Sequence, residues 1–194
     1  MNHQRLGMGM LLALAVAGQP AEGHFQELVP EPPFVDADHK TVSLEMVFTH
    51  PVEGGPVMEM GTPAQFGVLV GGKRINLMEA LQPQKIDGKT VYRADFTAKG
   101  PGDHVFFLEP APYWESAEQK MIIHYTKVVV NAFGEEEGWD AMVGFPVEIE
   151  PLTRPYGLWK GNVFQGVVQK NGKPVPFAEV EVEFLNEGAK VKPP

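Results

Sequence analysis

Apolar residues in this chain recur every second position rather than every third or fourth. In TVSLEMVFT (residues 41–49) Val42, Leu44, Met46 and Phe48 share one parity. In TVYRADFT (90–97) Tyr92, Ala94 and Phe96 oppose Arg93 and Asp95, and in FAEVEVEF (177–184) Val180, Val182 and Phe184 oppose Glu179, Glu181 and Glu183. A period of two places one apolar face on a half-buried strand. QFGVLVG, DHVFFLE and MIIHYTKVVV add apolar runs rich in β-branched and aromatic residues, which suit a pleated surface. No stretch beyond the first residues holds a helical period. The pattern predicts an all-β chain, an antiparallel β-sandwich.

The connections fit that class. The 21 Gly and 18 Pro fall between the short apolar runs, as turn residues do in all-β proteins. Segments 50–63, 109–119 and 131–146 read as long, irregular loops, and long loops in compact domains tend to carry function. Near Pro151 and Pro155 a connector leads into a strand, an Asn171-Gly172 hairpin turn and a second strand. Only about 40 residues remain there, and a lone hairpin is marginal in water. The expectation is a second β module that is incomplete.

The first residues have a different character. Arg5 precedes LGMGMLLALAVAG (6–18), an uncharged run too short for a bilayer span of about 20 residues but suited to an export signal. Cleavage sites lie after Ala17, which the Ala15-Val16-Ala17 pattern favours, and after Gly23. The absence of Cys excludes a lipobox anchor and a disulfide framework. A formal charge of −9 without basic clusters argues against nucleic-acid binding, and suits a periplasmic protein that meets cations.

Candidate chemistry rests on histidine. His39, in DADHK, reads as a surface residue. His50 continues the inward parity of 42–48, His124 shares a face with Ile122 and Thr126 within an expected strand, and His104 opens DHVFFLE. Neutral imidazole is the commonest side-chain metal ligand, although a buried His more often just satisfies a backbone group. Met58 and Met60 could add soft ligands or simply pack over the sandwich. If cleavage leaves His24 first, its amine and Nδ1 can close a chelate ring suited to Ni(II), Co(II) or Cu(II). A copper site of that kind could serve an oxidative enzyme, with Tyr113, Trp114 and Trp139 lining a sugar groove. A third reading is an interaction module whose His residues are structural. No G-x-S-x-G or phosphate-binding loop is present.

Several segments together resemble a known family. They are GHF after the leader, FTHPVEGGPVMEM, PGDHVFFLEPAPYWE, HYTKVVVNAFG and GFPVEIEPLTRPYGLWKGNVF with the hairpin that follows. The chain is similar over nearly its whole mature length to a domain-of-unknown-function family of periplasmic proteins encoded beside nickel/cobalt energy-coupling-factor transporters. The resemblance implies a leader (1–23), a β-sandwich metal-binding domain (24–150) and the start of a transthyretin-like module (151–194). It favours cleavage after Gly23, where Ala is more usual. It also implies a non-enzymatic role, binding nickel and passing it to a membrane transporter component. His24 and His50 match the family pattern, and His104 and His124 stand in its motifs as further candidate ligands.

Overall fold

A computed structural model describes residues 24–52, 54–116 and 119–185. The expected leader and the last residues, 186–194, lie outside them. The strands in chain order are β1 (Phe25–Glu31), β2 (Phe34–Val35), β3 (Thr41–Thr49), β4 (Gln65–Val70), β5 (Lys73–Asn76), β6 (Gln82–Ile86) and β7 (Lys89–Thr97). Then follow β8 (Gly102–Glu109), β9 (Tyr113–Glu115), β10 (Lys120–Ile122), β11 (Thr126–Ala132), β12 (Val147–Pro151), β13 (Gly166–Lys170) and β14 (Lys173–Pro174). The fold is all-β, and no described helix is long and apolar enough to cross a membrane.

Two sheets form the sandwich. One runs β1-β3-β7-β6 and the other β2-β11-β8-β4-β5. All pairings within them are antiparallel except β2 with β11. Prolines at 32 and 33 cannot donate to a ladder, so β1 stops at Glu31 and the chain crosses to the opposite sheet. The parity seen in the sequence becomes the core. Leu44 and Met46 of β3, Phe66 of β4, and Phe106 and Leu108 of β8 are all within 1 % of full burial. Truncating one of them to Ala would cost about 2–5 kcal/mol.

The second sheet is covered on both faces. Val105 and Phe107 of β8 point away from the sandwich core and pack with Leu69, Val129, Val143 and Phe145. The loop after β11 folds back to supply Val143 and Phe145, which explains why β8 is apolar at successive positions rather than alternate ones. Gly67 is required beneath this layer, because a Cβ there would meet the Ile75 carbonyl at 2.4 Å and Phe107 at 2.6 Å.

Residues 147–174 form a third sheet, β12-β13-β14. Asn171 (φ 50°) and Gly172 (φ 71°) make the expected hairpin turn. The boundary expected near 150 falls inside β12, which pairs with β13 along its length. Glu148 of β12 ties this sheet to the sandwich. Its carboxylate takes Lys127 Nζ at 2.7 Å and the backbone N–H groups of Val143, Gly144 and Phe145. Burial alone would raise its pKa, but Lys127 and those N–H groups outweigh it and hold the group below the usual range.

Two expected strands differ. Residues 177–184 alternate but form no strand, and Phe177 and Val182 are almost fully exposed. A period of two needs a partner strand to become a ladder, and the described residues offer that segment none. Glu183 nonetheless comes near the outer face of β1, where burial, then Glu45 and Glu183, push the Glu27 carboxyl up to about 7. MIIHYTKVVV is likewise not one strand. It divides into β10 and β11, with residues 123–125 crossing from the small β9-β10 sheet to the main one. His124 therefore sits in a break rather than in the middle of a strand.

Candidate functional site

Register brings the first two histidines together. β1 and β3 pair with Phe25 opposite Thr49, so one more step along the ladder sets His24 opposite His50. Cross-strand neighbours have Cβ atoms about 4.5–5.5 Å apart, and the two imidazole rings lie with centroids 4.1 Å apart. β3 ends there because Pro51 cannot continue the ladder. The loop then wraps back over His50. Thr49 Oγ1 donates to the Gly55 carbonyl at 3.0 Å, and the Gly55 N–H donates to the His50 carbonyl at 3.2 Å. A Cβ at Gly55 would lie 3.1 Å from the Cβ of His50, so glycine allows the wrap to close.

Phe48, 4 % exposed, is the floor of this rim. The rings of His24, His124 and Tyr113 stand 5.7, 5.6 and 4.6 Å from it. Tyr113 and Glu115 arrive on β9, after the Pro-bearing turn at 110–112. Tyr113 stacks on His124 at 5.6 Å with its hydroxyl 3.4 Å from Nε2. Glu115 reaches His24, whose Nδ1–H donates to Oε2 at 3.0 Å. Both partners are largely covered, with 22 % and 12 % of their side chains exposed. Burial, and then the neighbouring His24, hold the His124 pKa below its usual value and keep the ring neutral near pH 7.

The rim borders two hollows. A cavity of about 140 Å³ touches Phe48, Met60, Tyr113 and His124. On its far side an apolar groove of about 720 Å³ runs between β11 and the third sheet, past His124, Phe145 and Phe164. Lone pairs of neutral imidazole, a carboxylate and a phenol beside a small cavity form a donor set able to take a borderline transition-metal ion. The side chains do not already converge as a ligand set. Among the described residues no three His, Cys, Asp or Glu groups are arranged to hold a metal as they stand.

The other candidates lie elsewhere. His104 is 3 % exposed at the opposite end of β8, opposite Val130, whereas the rim end of β8 pairs Leu108 with Thr126. Four residues of strand separate the two, about 13 Å. Its ring packs on Phe96 at 5.7 Å and its Nδ1–H donates to the Gly102 carbonyl at 3.1 Å. Burial keeps it neutral. The structure thus brings together His24, His50 and His124 and leaves His104 apart. Met60 is buried in the core, where its sulfur accepts from Gln26, and Met58 packs against the same core. His39 lies on the surface beside Asp36. Trp139 packs under Val143 while Trp114 is exposed, so the three loop aromatics do not form one groove.

Sequence reasoning missed Glu115 altogether. Its position in YWE, directly after a proline turn and three residues before Glu118, carries little signal of its own. No curated protein and no solved structure matches the chain. A family model does, across residues 21–194, and the chain belongs to the family described as a domain of unknown function (DUF4198).

Proposed function

We propose that this protein binds Ni(II), with Co(II) as a second cargo, after export to the periplasm, and presents it to a membrane transporter component. The observation that carries the reading is the meeting of His24 and His50, 26 residues apart in sequence, with rings 4.1 Å apart at a sandwich rim that also holds His124 and Glu115. Imidazole and carboxylate ligands without thiolate suit a transfer role. They bind nickel and cobalt while escaping the oxidation that consumes cysteine. The ion is cargo here, so the protein performs no reaction on it. Proton competition for the ring nitrogens makes affinity fall below about pH 6.

Replacing both His24 and His50 by Ala tests this. Losing an outer-shell partner costs about 10–100-fold in metal affinity, so losing two ligands should cost at least about 100-fold. Isothermal titration with Ni(II) reads it, and an unchanged affinity refutes the reading. A second reading, an interaction module with structural histidines, has one observation in its favour: the side chains are not yet gathered as a ligand set. Its signature is a melting temperature that does not respond to nickel, since saturating ligand would otherwise raise stability.

A further inference from the structure

The Glu115–His24 contact decides which nitrogen of His24 is available. An amine chelate at a first-residue histidine closes through Nδ1, because Nε2 lies on the far side of the ring and cannot reach back. In this fold Nδ1 is engaged. Its N–H donates to Glu115 Oε2 at 3.0 Å, and both groups are mostly shielded from water. An ionised carboxylate only accepts, so the proton sits on Nδ1 and the lone pair on Nε2. Metal-binding histidines are ordinarily fixed this way, with the second ring nitrogen donating to a carboxylate that sets the tautomer and raises ligand basicity. The carboxylate is itself well placed for that task. It is carried on β9, which pairs with β10 through Glu115 opposite Lys120, and the adjoining Tyr113 is packed between Phe48 and His124.

We propose that Glu115 is a positioning residue that holds the proton on Nδ1 of His24 and so presents Nε2 as the metal-binding nitrogen. The inference rests on the metal-binding reading above and adds a consequence to it. Capture needs no free α-amine, so it is the same whether the mature chain begins at Gly18 or at His24. It also assigns the pairing of donors: His24 and His50 act as two imidazoles across one strand register, rather than an amine and an imidazole from one residue.

The test has two parts. In metal-free protein labelled with nitrogen-15, long-range couplings report the His24 tautomer. The wild type and Glu115→Gln, whose amide oxygen can still accept, should show the proton on Nδ1. Glu115→Ala should release it toward Nε2, the preference of a free neutral imidazole. Nickel affinity should fall about 10–100-fold in Glu115→Ala and recover most of that loss in Glu115→Gln. Chains beginning at His24 and at Gly18, otherwise complete, should bind Ni(II) within about threefold of each other. A wild-type proton on Nε2 overturns the proposal, and so does binding that is kept in the His24 chain but lost in the Gly18 chain. A chain that binds nickel in neither form overturns the metal reading instead, and the metal-free tautomer still judges the role of Glu115 by itself.

Discussion

The two ends of the sandwich each place a histidine against a phenylalanine, and they use it in opposite ways. At the far end His104 is wedged against Phe96, its Nδ1–H spent on the Gly102 carbonyl, and next to it Asp103 is 1 % exposed. Asp103 Oδ1 accepts from Tyr156 at 2.7 Å and from Asn131 at 2.9 Å, and Asn131 also donates to the Glu135 carbonyl. The near end gathers His24, His50 and His124 around Phe48, with the Glu115 carboxylate on His24. At the far end Asp103 Oδ1 and the His104 Nδ1–H meet fixed protein partners, while Asp103 Oδ2 is buried without one. At the near end imidazoles are packed against one another at a partly open rim, with Glu115 on His24 and the Tyr113 hydroxyl beside His124.

Stability should separate the ends most sharply. Asp103→Ala removes the acceptor of the half-buried Tyr156 hydroxyl and one of the acceptors of the Asn131 amide, and should cost about 2–3 kcal/mol in urea unfolding. His24→Ala removes one hydrogen bond to Glu115 at the rim and should cost less, about 1 kcal/mol. Equal losses would break the comparison. The next contrast is in His104→Leu, which fills the same apolar slot but takes the imidazole donor from the Gly102 carbonyl. It should cost about 1–2 kcal/mol and leave nickel affinity within about threefold of wild type. A large loss of nickel binding in that variant would return His104 to the site.

Acid should sharpen the picture further. Both His104 and His124 have pKa values held below 6.5, mainly by burial. The unfolded chain then takes up protons that the folded chain resists, so their contribution is intact above pH 6.5 and is lost as pH falls through the folded values. Glu27, raised to about 7, acts in the opposite sense and gains stability as pH falls through that value, so in a Glu27→Gln background calorimetric melting temperatures should be flat from pH 8 to about 6.5 and decline below it. His104→Leu should remove part of that decline. Glu148, also held below its ordinary pKa, adds a later loss only as pH falls beneath about 4.5.

Much of this was legible in the sequence, and the reasons are specific. β3 and β7 could be read because one face is buried and the other wet, so the period of two survives in the residues. The Asn171-Gly172 turn could be read because few other dipeptides accept two positive φ angles. Residues 177–184 misled because alternation records a capacity for pairing, while pairing itself depends on a neighbour. His124 misled because an apolar run cannot reveal that its two halves join different sheets. The four histidines could be named but not sorted. Sorting them needed strand register, which set His24 against His50 and His104 four residues down β8 from the rim. Glu115 was invisible because its partner lies 91 residues away.

The smallest test falls on the loop that covers His50. Gly55 does not require a positive φ, so alanine is allowed by the backbone there. Its Cβ would lie 3.1 Å from the Cβ and 3.2 Å from Cδ2 of His50, closer than ordinary contact, and the side chain must give by a few tenths of an ångström. A structural histidine would absorb that shift with little consequence, because the rim is half open and the cost in stability should stay under about 1 kcal/mol. A ligand would not, because donor sets need their atoms held within about 0.5 Å of the binding geometry. Gly55→Ala should therefore lower nickel affinity by about threefold to tenfold while leaving the urea midpoint almost unmoved. An effect on stability without one on nickel would mean that His50 is there to pack against its own loop, and the two ends of the sandwich would then differ in exposure but not in purpose.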